Sequence, residues 1–145
     1  MKLRAACSLL PEFGTSVGHA RGMFNPNFIL LYVDSPAASA AFYSELFGHA
    51  PLESSPTFAM FALASGVMFG LWSKHTVAPA APPHFGGSEL AFTVADADAV
   101  RAKHREWSAR GLPIAQAPID LDFGHTFVAL DPDGHRLRVF APTAA

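Results

Sequence analysis

Continuous apolar runs and helical periodicity alternate along the chain. The run Phe28-Ile29-Leu30-Leu31-Tyr32-Val33 predicts a buried strand. Asp34 and Ser35 both offer a helix cap, and the pattern after them predicts a helix from Ala37 to Phe47 that ends at Gly48. Short apolar stretches then predict three strands, over about 50–54, 57–63 and 67–73.

The same order of elements returns after a proline- and glycine-rich linker at 75–87. Glu89–Val94 predicts a strand, and Asp96 or Asp98 caps a helix that runs to about Arg110. Further strands are predicted over about 113–119, 125–130 and 136–141, with an Asp131-Pro132-Asp133-Gly134 turn before the last. The order β-α-β-β-β thus occurs twice, which predicts an α+β fold of two modules, about 28–73 and 89–141.

Each predicted helix carries an apolar stripe that should face its sheet. In the first helix the stripe is formed by Ala38, Phe42 and Leu46, with Tyr43 and Phe47 beside it. In the second helix it is formed by Val100, His104 and Trp107.

The first 22 residues lack a periodic apolar pattern. Their one apolar run, Ala5–Leu10, is too short for a membrane span and poor as a secretory signal. Met23 offers an alternative start of translation. We therefore predict a flexible N-terminal extension over 1–23 and a single domain over 24–145.

Composition narrows the choice of function. Hydrophobic residues make up 50% of the chain and the net charge is −2, which speaks against a nucleic-acid or membrane surface as partner. Cys7 is the only cysteine, so internal disulfides and cysteine-type zinc sites are excluded, in keeping with a cytoplasmic location. The 13 phenylalanines exceed ordinary core needs and would suit an aromatic ligand pocket.

The repeat and several motifs resemble the vicinal-oxygen-chelate superfamily, which includes glyoxalase I, extradiol dioxygenases and bleomycin-resistance binding proteins. The matching residues lie between 28 and 141: Val33-Asp34 with Ser39, Phe42-Tyr43, Leu46-Phe47-Gly48, Leu90–Val94 and Asp131–Gly134. This resemblance implies two curled mixed sheets that form a cup.

The resemblance also implies four metal-ligand positions, one on each of four strands. In this chain they are occupied by Phe28, Gly70, Glu89 and Arg138. Phenylalanine and glycine have no side-chain donor, and a protonated arginine does not bind a metal. We therefore expect no metal and no other cofactor, and an ion pair of Glu89 with Arg138 in place of the metal.

The seven histidines show no ligand-like spacing. A triad of Glu89 with His75, His84 or His125 is the weaker alternative, and Glu89 would be the candidate general base of a metal-free reaction. We expect His125 to line the mouth of the cup. We predict that His49, His104 and His135 lie at the surface.

Strand parity identifies the residues that line the predicted cup. Met68, Gly70 and Trp72 share one face of the 67–73 strand. On the 57–63 strand either Phe58, Met60 and Ala62 or the alternate set with Phe61 faces the cup. The predicted ligand-binding residues are Phe28, Phe58, Met60, Met68, Trp72, Glu89, His125 and Arg138, and no catalytic residue is assigned.

The strand motifs around Met60, Met68 and Trp72 are similar to the phenazine-resistance branch of the superfamily. That resemblance implies a cytoplasmic, domain-swapped homodimer that binds and sequesters a planar aromatic antibiotic, phenazine-like or bleomycin-like, without catalysis. The alternatives are a glyoxalase- or dioxygenase-like enzyme with displaced metal ligands, a metal-free isomerase that uses Glu89, and a dimerisation module without a small ligand.

Overall fold

The computed structural model describes residues 25–81 and 88–143. The chain divides into two compact units, one up to Pro82 and one from Pro83. The predicted extension over 1–23 and His84 lie outside the described residues.

The first unit is a four-stranded mixed sheet with one helix. Its elements are β1 (Phe28–Val33), α1 (Pro36–Phe47), β2 (Glu53–Ser54), β3 (Phe58–Ala62) and β4 (Met68–Ser73). The strand order is β1-β4-β3-β2. β1 runs parallel to β4, and the other neighbours are antiparallel. β2 has only two residues and is shorter than the predicted strand over 50–54.

Helix α1 begins and ends where the sequence predicts. Ser35 is the N-cap and its hydroxyl accepts a hydrogen bond from the Ala38 amide, while Gly48 ends the helix with φ 78°. The predicted stripe is wrong by about one position, because Ala38 is exposed and the buried residues are Pro36, Ser39, Ala40 and Tyr43. Tyr43 lies against Phe69 of β4, with ring centroids 4.9 Å apart, and this contact sets the rotation of the helix.

The second unit repeats this arrangement. Its elements are β5 (Glu89–Thr93), α2 (Ala97–Ala109), β6 (Ile114–Leu121), β7 (Gly124–Leu130) and β8 (Arg136–Pro142), with strand order β5-β8-β7-β6. Asp96, and not Asp98, caps α2 by accepting from the Ala99 amide. The predicted stripe is confirmed, since Val100 and Trp107 are buried and the His104 ring contacts Phe127. The separate prediction that His104 lies at the surface is wrong, because its half-buried ring packs on the sheet. The predicted α+β fold of two β-α-β-β-β modules is therefore confirmed.

The Asp-Pro-Asp-Gly segment forms the expected turn between β7 and β8. The buried carboxylate of Asp131 accepts hydrogen bonds from the backbone amides of Asp133 and His135. The prediction that His135 lies at the surface is wrong, because its side chain is folded into this turn and lies 3.1 Å from the Ser88 hydroxyl. Within the described ranges, no helix is long and apolar enough to cross a membrane.

Candidate functional site

The face of the first sheet opposite α1 is apolar and rich in aromatic and methionine side chains. Phe61 and Phe69 point to α1, where both rings contact Phe47. Side chains alternate along a strand, so Phe58 and Met60 point the other way. The cluster on this side, hereafter the apolar face, consists of Phe58, Met60 and Met68 with Phe28, Leu30 and Trp72 packed against them.

The apolar face combines a closed centre with a more open margin. Phe58, Met60 and Met68 are at most 1% exposed. Trp72 is half-buried and meets the Phe58 ring edge to face, with centroids 6.3 Å apart. A planar ligand would therefore meet Trp72 first and the methionines only after entering the cluster.

Gly70 lies in the middle of this face, but the space above it is filled. A Cβ atom at this position would lie 2.6 Å from Leu30 Cδ2 and 2.7 Å from Phe28 Cε1. Glycine at this position leaves room for these two side chains to close over β4. The space over Gly70 on the predicted cup face is thus occupied by side chains of the same unit.

Glu89 and Arg138 form the predicted ion pair in the second unit. Arg138 Nε donates to Glu89 Oε2 at 2.8 Å, and Arg138 Nη1 donates to the Thr126 hydroxyl at 3.2 Å. The guanidinium also lies over the Phe123 ring, 5.5 Å from its centroid. Arg138 is the more buried partner, with 16% of its side chain exposed against 41% for Glu89.

The residues at the superfamily's metal-ligand positions do not fit a metal ion. Phe28 and Gly70 have no donor atom, and the Glu89 carboxylate is held by the Arg138 guanidinium. Elsewhere in 25–81 and 88–143, no three histidine, cysteine, aspartate or glutamate side chains gather into a possible metal site.

The histidines weighed as alternatives are placed apart from this pair. His75 Nε2 lies 2.7 Å from an Asp34 carboxylate oxygen. This hydrogen bond lowers the pKa of Asp34; desolvation opposes it in part, and the charge of Lys74 adds a smaller lowering effect. His75 therefore hydrogen-bonds to an exposed carboxylate in the first unit, whereas Glu89 belongs to the second.

His125 lies on a different face from the one expected. It shares its sheet face with Phe127, which packs against Trp107 of α2, whereas Thr126 and Arg138 lie on the opposite face. Its Nδ1 lies 2.7 Å from an Asp120 oxygen, and its Nε2 is buried without a partner among the described residues. His125 borders a hollow of about 540 Å³ at the N-terminus of α2 that also carries Asp96, Asp120 and Asp122. The structure thus separates His125 from the Glu89–Arg138 pair.

One polar residue beside the apolar face was missed by the sequence analysis. Glu53 on β2 pairs with Met60 of β3, which in turn pairs with Gly70 of β4. Residues directly opposite in a sheet point to the same side, so Glu53 points to the apolar face. A single charged residue in a two-residue strand gives no periodic signal, and only the register reveals its position.

Comparison with known proteins establishes the class to which this fold belongs. The family model of the Glyoxalase/Bleomycin resistance protein/Dioxygenase superfamily matches residues 25–139. The chain belongs to this superfamily, which confirms the resemblance seen in its sequence.

Individual relatives agree with this assignment. The phenazine antibiotic resistance protein EhpR of Enterobacter agglomerans is 30% identical over 117 residues, which are 79% of this chain and 89% of EhpR. Protein ATC0852 from Agrobacterium tumefaciens, solved by NMR, is 48% identical with a TM-score of 0.75, over 84% of this chain and 100% of that one. A glyoxalase-related enzyme from Fulvimarina pelagi shares the fold, with a TM-score of 0.70 and 24% identity over 85% of this chain and 94% of its own.

Proposed function

We propose that this protein binds and sequesters a planar aromatic antibiotic, phenazine-like or bleomycin-like, on the apolar face of the first sheet. The observation that carries the proposal is the cluster of Phe58, Met60 and Met68 with the half-buried Trp72 at its margin. Similarity to EhpR, a phenazine antibiotic resistance protein, supports a ligand of this class.

The chemistry of the apolar face suits a flat, polarisable molecule. Aromatic rings bind one another in stacked or edge-to-face geometry, and such a pair adds about 0.5–1.5 kcal/mol beyond the area that it buries. Methionine side chains are flexible and polarisable, so Met60 and Met68 can adapt to a ring that enters beside Trp72. Because Phe28 and Leu30 now cover Gly70, ligand entry requires these two side chains to change rotamer.

Binding without catalysis is favoured over the enzymatic alternatives. The Glu89 carboxylate, the candidate base of a metal-free isomerase, is engaged by Arg138 at 2.8 Å. A guanidinium that holds the carboxylate in this way competes with any substrate proton for it. In keeping with the superfamily branch that it resembles, we also propose that the protein is a cytoplasmic homodimer.

Thermal unfolding in the presence of candidate ligands tests the proposed function. A ligand at a hundred times its Kd stabilises the native state by about 2.7 kcal/mol, which is a clear rise of the melting temperature. We expect phenazine to produce this rise, and a saturated aliphatic compound of similar size to produce none. A melting temperature that no polyaromatic compound changes would contradict the proposal.

The same protein preparation tests the enzymatic alternative. We expect metal analysis to find no Fe, Ni, Mn or Zn at a fixed ratio to the protein after purification. A stoichiometric metal bound at micromolar affinity or tighter would favour the displaced-ligand enzyme instead.

A further inference from the structure

Glu53 is an acidic residue at the border of the apolar face of the first sheet. It lies on β2, the edge strand of the first sheet, and pairs with Met60 across the β2–β3 ladder. Met60 is fully buried in the cluster of the apolar face. The sheet register therefore places the Glu53 carboxylate beside the proposed ligand site.

The hydrogen bonding of Glu53 is incomplete. Its Oε2 atom is buried and has no hydrogen-bond partner within the described part of the chain. Buried polar atoms in native proteins nearly always have a partner, because an unsatisfied acceptor loses its water without compensation. An unpaired carboxylate oxygen beside a proposed binding surface is available to a donor group of a ligand.

We propose that Glu53 is a specificity-determining residue of the apolar face, whose carboxylate accepts a hydrogen bond from an amino or ring N–H group at the edge of a planar aromatic ligand. This inference rests on the proposed function, because it concerns the ligand of the same site. Aromatic contacts with Trp72 and the methionines would bind any flat ring, whereas Glu53 would select rings that carry an N–H donor.

Two ligands that differ by one amino group test the proposal. The dissociation constants of phenazine and 2-aminophenazine are measured by calorimetry with the full chain. Hydrogen bonds to charged groups are worth more than neutral ones, so we expect 2-aminophenazine to bind wild type about tenfold more tightly than phenazine. The ratio of the two constants, rather than either constant alone, is the readout.

Three substitutions assign that ratio to one side chain. Glu53→Met removes the acceptor and should bring the ratio to about one, while Glu53→Gln keeps a neutral acceptor and should give an intermediate ratio. Glu45→Gln is the matched control, because Glu45 is an exposed residue of α1, and it should leave the ratio as in wild type. Glu53→Gln is close in shape to the native residue and serves if Glu53→Met does not fold.

Each result separates this inference from the proposed function. Equal binding of both ligands by wild type, or an unchanged ratio in the Glu53 variants, would overturn the role of Glu53 and leave aromatic binding intact. Failure of both ligands to bind wild type would overturn the proposed function and this inference with it.

Discussion

A single substitution of Trp72 tests the proposed role of this residue in ligand binding. It lies at the margin of the apolar face and contacts Phe58, so its indole can stack on a ligand that enters there. We expect Trp72→Ala to weaken the binding of phenazine at least several-fold, because the lost aromatic contact is worth about 1 kcal/mol. Affinity is measured by calorimetric titration with phenazine, and quenching of tryptophan fluorescence in wild type reports the contact with Trp72.

Trp107 provides the internal control for that experiment. It packs against Phe92 and Phe127 on the helix side of the second sheet. Trp107→Phe should therefore retain most of the quenching signal. Wild-type affinity in folded Trp72→Ala protein, or unfolding of that variant, would show that Trp72 belongs to the core and not to a ligand site.

Glu53 also makes a prediction about stability in the absence of ligand. An unsatisfied buried acceptor costs about 1–3 kcal/mol, and methionine at the same position would instead extend the apolar cluster. We expect Glu53→Met to raise the melting temperature of the ligand-free protein by a few degrees, measured by calorimetry, with Glu45→Gln unchanged. A lower melting temperature would indicate that the carboxylate stabilises the fold.

The glycines on β4 and β7 differ in the space available for an added Cβ atom. Alanine substitutions at the two positions should therefore lower the free energy of unfolding by different amounts. Gly70→Ala on β4 would press on the ends of the Leu30 and Phe28 side chains, which can move. Gly124→Ala on β7 would run into the backbone carbonyl of Ala141, and the residue has φ 151°. We expect Gly70→Ala to cost about 1–3 kcal/mol and Gly124→Ala to cost more, measured by urea denaturation. The reverse order would contradict the packing described for β4.

Elements and their caps could be predicted because their causes are local. Ser35 before Pro36 and Gly48 after Phe47 define α1 whatever the helix packs against. The buried side of α1 could not be predicted, because it depends on Phe69 in a strand that comes later in the chain. Likewise, the sequence did not show which side chains of β3 face the predicted cup. Phe58, Ala59, Met60 and Phe61 are all buried, so polar and apolar residues do not alternate along this strand.

At the scale of the whole molecule, the internal repeat predicted the fold and the superfamily. The candidate site was predicted less completely. Trp72 follows from strand parity, whereas the sequence left open whether Phe58 faces the cup, and Glu53 follows only from the register of β2 with β3. His125 was expected beside the ligand because it begins a strand near a glycine, and the structure places it on the α2 side. Such errors arise because one residue of offset moves a side chain to the opposite face.

The N-terminal segment gives a prediction for the chain as a whole. Residues 1–22 lack periodic apolar positions, so we expect a protein that begins at Met23 to fold with the thermal stability and the oligomeric state of the full chain. Ultracentrifugation and thermal unfolding of both proteins are the measurements. A large loss of thermal stability in the shorter protein would show that the segment packs on the domain.

The most direct test of aromatic binding on the apolar face uses the methionine methyl groups. The chain has four methionines, of which Met60 and Met68 lie in the cluster and Met1 and Met23 precede the described residues. Methyl-labelled protein is titrated with phenazine by NMR, and Met60→Leu and Met68→Leu assign the signals. We expect saturable ring-current shifts at Met60 and Met68 at one phenazine per site. Methyl signals of Met60 and Met68 that stay unchanged at saturating phenazine would contradict binding on this face.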